Sequence, residues 1–190
     1  MHEEDWETTM QTYKAVFVDY VRKELKRDGR DLEPELLKQL SEADRQEYRS
    51  LLPVSWISPE LGGRLLEAFG PVLFPTAVDP VFEIGRGQAR NDMTGIYRIL
   101  LKVATVPMVI NRAATLFGTY HKTGTASLEH VDGEKRGAFF INEYPDLSDG
   151  IRRTVGGYIM GLLELTGVKE IKVHLNDSNP NAWRWDISWN

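Results

Sequence analysis

The first two thirds of the sequence carry apolar residues at the three- and four-residue spacing of a helix face. The earliest such stretch runs from Thr12 to Arg27 and is followed by Gly29, a residue that commonly ends helices. The pattern predicts a helix that ends before this glycine, with an apolar stripe formed by Tyr13, Val16, Phe17, Tyr20, Val21 and Leu25.

Capping residues predict where later helices begin. Ser41 is placed as an N-cap, and Ser58 precedes Pro59, which suits a first helical turn because the missing N–H has no partner there. The helix after Ser58 is predicted to end near Gly70 and Pro71. Further helical patterns occur in "VFEIGRGQARND", "GIYRILLKVA" and "PMVINRAATLFGTYHKTG".

The pattern changes after Gly124 to short segments with the two-residue alternation of β-strands. These are "TASLEHV", "GAFFINEY", "EIKVHLN" and "AWRWDISW", and the helical stretch "DGIRRTVGGYIMGLLELTG" separates the second from the third. The predicted fold class is α+β, with a mainly helical N-terminal two thirds and then a ββαββ antiparallel four-stranded sheet packed against helices. The last strand should turn one apolar face to the core, formed by Trp183, Trp185, Ile187 and Trp189.

Three glycines lie inside the helix that should cover this sheet. Gly156, Gly157 and Gly161 each cost about 1 kcal/mol relative to alanine in a helix interior. Two explanations stay open: the close approach of another backbone, or room for a ligand or a dimer partner.

Composition narrows the class of protein. A chain of 190 residues suits one domain, predicted over 11–190 after a flexible N-terminus at 1–10. The absence of cysteine excludes disulfides and thiolate-bound zinc, and a net charge of −5 disfavours nucleic-acid binding. The acidic start lacks a secretory signal pattern, and the apolar runs are too short for a membrane span, so a cytoplasmic protein is expected.

Three stretches carry a family resemblance: "SWISPELGGRLLEAF", "FEIGRGQARNDMTGIYRILLKVATVPMVINRAATLFGTYHKTG" and "GGYIMGLLELTGVKEIKVHLNDSNPNAWRWDISW". In order and spacing they resemble an uncharacterised bacterial family related to the 4-vinyl reductase domain and the haem-NO-binding-like group. The fold of that family is similar to that of small TRAPP subunits. The resemblance implies an α+β sensory or scaffold module, often for small hydrophobic or aromatic ligands and often dimeric.

The resemblance does not supply a cofactor. Relatives commonly carry paired cysteines around the positions held here by Asn176 and Trp183, so zinc binding is not transferred to this chain. No haem-ligand motif matches residue by residue; no cofactor is predicted, and haem stays open.

Candidate chemistry is sparse. No GxSxG elbow, P-loop or HExxH motif occurs, so no catalytic residue and no metal ligand is assigned. His121 is either an axial ligand or general base, or a helix C-terminal residue near exposed carbonyls. Arg86 and Arg90 either face one anion or pair with carboxylates such as Glu83.

The leading hypothesis is a non-enzymatic sensory or regulatory module with an apolar pocket for a small hydrophobic molecule. One alternative is a protein-interaction or scaffold domain that dimerises without a ligand, through the glycine-bearing helix or a helix of the N-terminal half. The other is an enzyme acting on a tetrapyrrole or aromatic compound. Arg86 is the candidate polar anchor, and the candidate pocket walls are Tyr97, Phe117, Tyr158, Met160 and Trp185.

Overall fold

A computed structural model describes residues 12–179 and 181–190, without the side chains of 96–98. The predicted flexible N-terminus at 1–10 lies outside the described residues. The helices are α1 (Phe17–Leu25), α2 (Glu33–Gln39), α3 (Glu42–Ser50), α4 (Pro59–Leu73), α5 (Pro80–Asp92), α6 (Ile96–Leu101), α7 (Val106–Tyr120) and α8 (Asp149–Thr166). The strands are β1 (Tyr13–Lys14), β2 (Trp56–Ile57), β3 (Thr125–His130), β4 (Arg136–Asn142), β5 (Lys172–Asn176) and β6 (Ala182–Ser188).

The four C-terminal strands form one antiparallel sheet in the order β3-β4-β6-β5. Its register places Trp185 opposite Phe139 on β4 and Leu175 on β5. Trp183, Trp185 and Ile187 are buried, whereas the alternate residues of β6 are partly exposed. The predicted α+β class and the ββαββ order are therefore confirmed.

The glycines of α8 lie where α5 crosses it at backbone contact. A Cβ atom added at Gly157 would overlap the carbonyl oxygen of Phe82, and one at Gly161 would lie 2.5 Å from the carbonyl oxygen of Arg86. Gly85 meets the backbone of Thr154 in the same way from the α5 side. Of the two explanations that the sequence left open, the structure shows the close approach of another backbone at Gly157 and Gly161, whereas Gly156 faces the side chains of Trp185 and Phe82.

Most predicted helix boundaries are confirmed by their caps. The Ser41 hydroxyl accepts a hydrogen bond from the Asp44 N–H at 3.0 Å, and the Ser58 hydroxyl accepts one from the Leu61 N–H at 3.2 Å. The first helix ends at Leu25, before Gly29 as predicted, and a 3-10 turn over Arg27–Gly29 follows, in which Asp28 and Gly29 adopt left-handed conformations with φ of 56° and 74°.

Two boundary predictions are wrong. The helix after Ser58 continues through Pro71 to Leu73, since proline loses its own donor but the next turn still closes, with the Phe74 N–H donating to Gly70 at 2.8 Å. The first helix begins at Phe17 rather than Thr12. The chain before it pairs as strand β1 with β2, and the helical spacing of Tyr13 and Val16 in the sequence gives no sign of this long-range contact.

Candidate ligand-binding cavity

A cavity of about 770 Å³ lies between helices α5 to α8 and the sheet. This volume falls within the range of roughly 300–1,000 Å³ that is typical of small-molecule sites. Most of its wall is apolar, and the apolar lining includes Met93, Leu101, Val109, Ala113, Phe117, Phe139, Val155, Ile159 and Leu162. The cavity is thus a preformed apolar space with a few polar groups in its wall.

Helix α7 forms the long wall of the cavity. Met108, Arg112, Leu116 and Tyr120 all line it, and their four-residue spacing places them on one face of the helix. From the first to the last of these residues the helix rises ~18 Å. Met108 and Leu100 line the cavity although they are 63% and 54% exposed, so the cavity opens to solvent where α6 and the start of α7 meet.

The opposite end of the cavity is polar. The Tyr158 hydroxyl on α8 donates a hydrogen bond to the Asp92 carboxylate on α5 at 3.2 Å, and both residues line the cavity together with Gln88 and Tyr120. Burial raises the pKa of Asp92, although hydrogen bonds from neighbouring amides and from Tyr158 oppose the change. Burial, and then the charge of Asp92, raise the pKa of both tyrosines, which therefore stay protonated at neutral pH.

His121 occupies a third part of the wall, at the end of α7. Its ring is stacked against Phe117, with a centroid distance of 4.1 Å, and against Tyr13 at 5.1 Å. The side chain is 7% exposed, and burial lowers the pKa of the imidazole to about 3. His121 follows the last residue of α7, which agrees with the interpretation that placed it at a helix C-terminus, and its ring is uncharged at neutral pH.

The residues that the sequence placed in the pocket are distributed over different parts of the structure. Phe117 and Tyr158 line the cavity. Met160 is partly exposed on α8 and is not among the described residues of the cavity wall. The side chain of Tyr97 lies outside the described part of the chain, although its backbone belongs to α6.

Trp185 and Arg86 are not among the described residues of the cavity wall, and both make contacts elsewhere. The indole of Trp185 is 1% exposed and donates a hydrogen bond to the Arg152 carbonyl oxygen at 3.2 Å. Arg86 pairs with Glu83 at 2.9 Å, as the carboxylate-pairing interpretation predicted, and also with Glu164 on α8. Their roles in ligand binding stay predictions.

Sequence reasoning named Tyr158 as a wall residue but missed Gln88, Asp92 and Tyr120 at the same end of the cavity. Gln88 and Asp92 lie four and eight residues after Ile84, so they continue the face of α5 that is buried at Ile84. Polar residues in line with a buried apolar position were the available signal. That signal alone could not show that α7 and α8 bring tyrosines to the same point.

Comparisons with known proteins identify the fold but supply no sequence relative. No protein-family model matches the chain, and no curated protein sequence matches it. An Fe(II) unliganded H-NOX protein from K. algicida superposes with a TM-score of 0.62 at 11% identity, over 93% of this chain and 96% of that one. An H-NOX protein from S. oneidensis in the Fe(II)NO ligation state gives 0.60 at 10%, over 92% and 98%.

A third match, a mutant of the T. Tengcongensis H-NOX protein, gives a TM-score of 0.54 at 13% identity, over 93% of this chain and 97% of that one. The chain has the fold of haem-NO-binding (H-NOX) domains. At these identities the likeness concerns the fold alone. The relations to the 4-vinyl reductase domain and to TRAPP subunits stay predictions.

The H-NOX-like fold raises the question of haem, and the cavity residues do not fit it. Haem iron takes as its protein ligand a histidine, a cysteine thiolate, a tyrosine, or a methionine together with a histidine, and His121 is the histidine in the described cavity wall. A ligating histidine uses one ring nitrogen and donates its other N–H to a partner. The Nδ1 atom of His121 is buried with no hydrogen-bond partner among the described residues, so this second contact is missing.

The other polar groups of the wall do not replace this ligand. Burial keeps the cavity tyrosines protonated, which disfavours a phenolate ligand. The two propionates of haem are negatively charged and need cationic partners. In the described wall Arg112 is the one cationic side chain, and the Asp92 carboxylate at the other end would repel a propionate.

Among helices in the described part of the chain, none combines the length and apolar character needed to cross a membrane.

Proposed function

We propose that this protein is a non-enzymatic sensory or regulatory module that binds a small hydrophobic molecule in the cavity between α5, α7 and α8. The observation that carries the proposal is the apolar cavity of about 770 Å³, open at Leu100 and Met108 and polar at Asp92. The H-NOX-like fold supports it, since the matched S. oneidensis protein is described in an NO-ligated state.

The energetics of packing favour a ligand over an empty space. Protein interiors are packed as densely as organic crystals, and unfilled space lined by apolar atoms lowers stability. A scaffold with a filled core has no need of such a space. The hydrogen-bonded hydroxyl and carboxylate of the described wall, Tyr158 and Asp92, do not form an activated nucleophile, because burial raises the pKa of Tyr158 and a protonated phenol is a weak nucleophile. Both points favour binding over catalysis.

One of the two dimer surfaces considered for the scaffold alternative is already covered within the protein. Its dimer through the glycine-bearing helix needs the glycine face of α8, and the α5 backbone covers that face at Gly157 and Gly161. A dimer through a helix of the N-terminal half stays a prediction. Sedimentation over a range of concentrations would reveal it as an association that depends on protein concentration.

Ligand binding is tested with a neutral apolar fluorophore, N-phenyl-1-naphthylamine, whose emission rises in an apolar site. Ala113 lines the cavity, so the larger side chain in Ala113→Phe should fill part of it. The affinity for the fluorophore should fall by about tenfold or more, which corresponds to at least ~1.4 kcal/mol of binding free energy. Thr119→Phe adds the same ring to an exposed position of α7 and should bind like the wild type.

Native mass spectrometry of the purified protein complements this titration. A small molecule that is released on denaturation would reveal the chemical class of a natural ligand. A protein that is free of any passenger and does not bind the fluorophore would overturn the proposed function.

A further inference from the structure

Four polar side chains from three helices lie together at one end of a mostly apolar cavity. Gln88 and Asp92 come from α5, Tyr120 from α7 and Tyr158 from α8, and all four line the cavity. Gln88 is buried, with 6% of its surface exposed. Small-molecule sites typically use such a small group of convergent polar side chains to orient a ligand within apolar walls.

The cluster offers hydrogen-bond acceptors. Each oxygen of the Asp92 carboxylate receives one described hydrogen bond, from the Tyr158 hydroxyl and from the Asn91 amide, both at 3.2 Å. An ionised carboxylate has about four acceptor positions, and the Gln88 amide also acts on this one, so about one or two remain for a ligand. Tyr158 uses its proton on Asp92, which leaves its own oxygen as a further acceptor. The complementary group on a ligand is a hydrogen-bond donor.

The position of Asp92 is unfavourable for the stability of the protein. It is the last residue of α5, where the helix dipole disfavours a negative charge. It makes no ion pair with any other described side chain, and Lys23, whose charge acts on it, is paired with Asp19 at 2.7 Å. A cation bound at this end of the cavity would pair with the Asp92 carboxylate and would offset its unfavourable interaction with the helix dipole.

We propose that this end of the cavity binds the protonated amine of a ligand whose apolar body lies along α7. The proposal rests on the proposed function and adds the chemical class of the ligand. The amine donates to the Asp92 carboxylate and to the Tyr158 oxygen, while the apolar body contacts Ala113, Leu116 and Phe117. A neutral alcohol could donate a hydrogen bond but would not compensate the charge.

Arg112 defines the opposite possibility, an anionic ligand. It lines the cavity on the same helix face as Tyr120, two turns earlier and therefore ~12 Å away along the helix axis. Arg112 and Asp92 are both exposed, so water and salt weaken the attraction of either for a charged ligand, but no other cationic side chain of the described wall supports Arg112. The Asp92 end brings together several groups and is the stronger site.

The test compares three ligands with one alkyl chain, n-octylamine, n-octanol and n-octanoate, by displacement of N-phenyl-1-naphthylamine. Octylamine should bind tightest. Asp92→Asn should weaken octylamine by about tenfold or more while leaving octanol and the fluorophore unchanged, because hydrogen bonds to charged groups are the stronger ones. Asp132→Asn, at an exposed position of the β3–β4 turn, makes the same change in net charge and should have no effect.

A stability measurement separates this role from a structural one. Because Asp92 lies at the helix end that disfavours its charge, Asp92→Asn should unfold at an equal or higher urea concentration than the wild type. A variant that binds the amine less well without being less stable supports a ligand-binding role.

The proposal is overturned if octylamine binding is unchanged in Asp92→Asn, or if octanoate binds tightest and loses affinity in Arg112→Gln. In both cases the fluorophore still binds, so the proposed function survives the loss of the amine. If neither the fluorophore nor any alkyl ligand binds to the wild type, the proposed function itself fails.

Discussion

Gly157 shows how one missing side chain determines the distance between two helices. Its Cα faces the carbonyl oxygen of Phe82, and the atom that alanine would add there has no space because its neighbour is backbone. The gain in helix propensity from alanine, about 1 kcal/mol, is smaller than the strain of separating α5 from α8.

Gly157→Ala should therefore lower the free energy of unfolding by about 1–3 kcal/mol, as overpacked core substitutions do. Urea denaturation measures this change. Gly118→Ala is the matched control, because Gly118 lies in α7 with nothing within 4 Å of the added atom, and it should raise stability by up to ~1 kcal/mol. Equal effects of the two substitutions would contradict the close crossing.

His121 makes a second prediction at the scale of the residue. Its pKa falls from an ordinary value of 6.5 to about 3 in the folded state, because burial penalises the charged ring. The folded state thus binds fewer protons than the unfolded state between these values. Stability from the neutral ring is complete above pH 6.5 and is lost as the pH falls towards 3.

Between pH 7 and pH 5 the wild type should lose about 2 kcal/mol more stability than His121→Phe, which keeps an aromatic ring in the stack but cannot be protonated. Denaturant unfolding at several pH values gives both curves. Carboxylates such as Asp44, whose pKa is lowered by Arg64, act in both proteins and cancel in the difference. Parallel curves would show that the ring is not buried as described.

Elements are held together at their ends as well as along their faces. The Asp79 carboxylate caps α5 by accepting a hydrogen bond from the Phe82 N–H at 3.1 Å. The same carboxylate pairs with Arg153 of α8 at 3.2 Å, and that arginine also pairs with Asp149 at 3.0 Å. One side chain therefore both starts a helix and ties it to its neighbour.

Asp79→Ala should cost about 1–2 kcal/mol, since it removes the cap together with the ion pair. Asp79→Asn should cost less than half of this, because asparagine caps a helix as well as aspartate does and loses only the ion pair with Arg153. Thermal or urea unfolding of both variants measures the difference. Equal losses would mean that the cap contributes little.

At the scale of the whole molecule, the fold is that of H-NOX domains while the cavity residues do not fit haem. The core of this protein is formed by apolar side chains of the helices and the sheet. Folding should therefore be independent of any iron porphyrin. The cavity between α5, α7 and α8 is available to an apolar organic molecule instead of haem.

Protein produced with and without added haem should unfold at the same temperature. A cofactor present at a hundredfold excess over its Kd would add about 2.7 kcal/mol of stability, which a thermal scan detects easily. Titration with haemin should give the same Soret band in the wild type and in His121→Ala, because His121 is not expected to ligate the iron. A stoichiometric haem complex that depends on His121 would contradict the conclusion that the cavity residues do not fit haem.

The sequence by itself determined the elements, because their signals are local. The period of apolar residues distinguishes a helix from a strand, and the caps at Ser41 and Ser58 are set within four residues of chain. The alternation in "AWRWDISW" was enough to assign a buried face to β6. Among the candidate pocket residues, Phe117 and Tyr158 belong to long helical stripes, and both reach the cavity wall.

Only the tertiary structure decided which elements touch and what space they leave between them. The pairing of β1 with β2 joins segments more than 40 residues apart, and the crossing of α5 with α8 is fixed by backbone contacts at Gly85 and Gly157. Asp92 and Tyr158, which form a hydrogen bond at the polar end of the cavity, lie 66 residues apart in the sequence. Such contacts depend on the relative position of whole helices, which no local period of the sequence encodes.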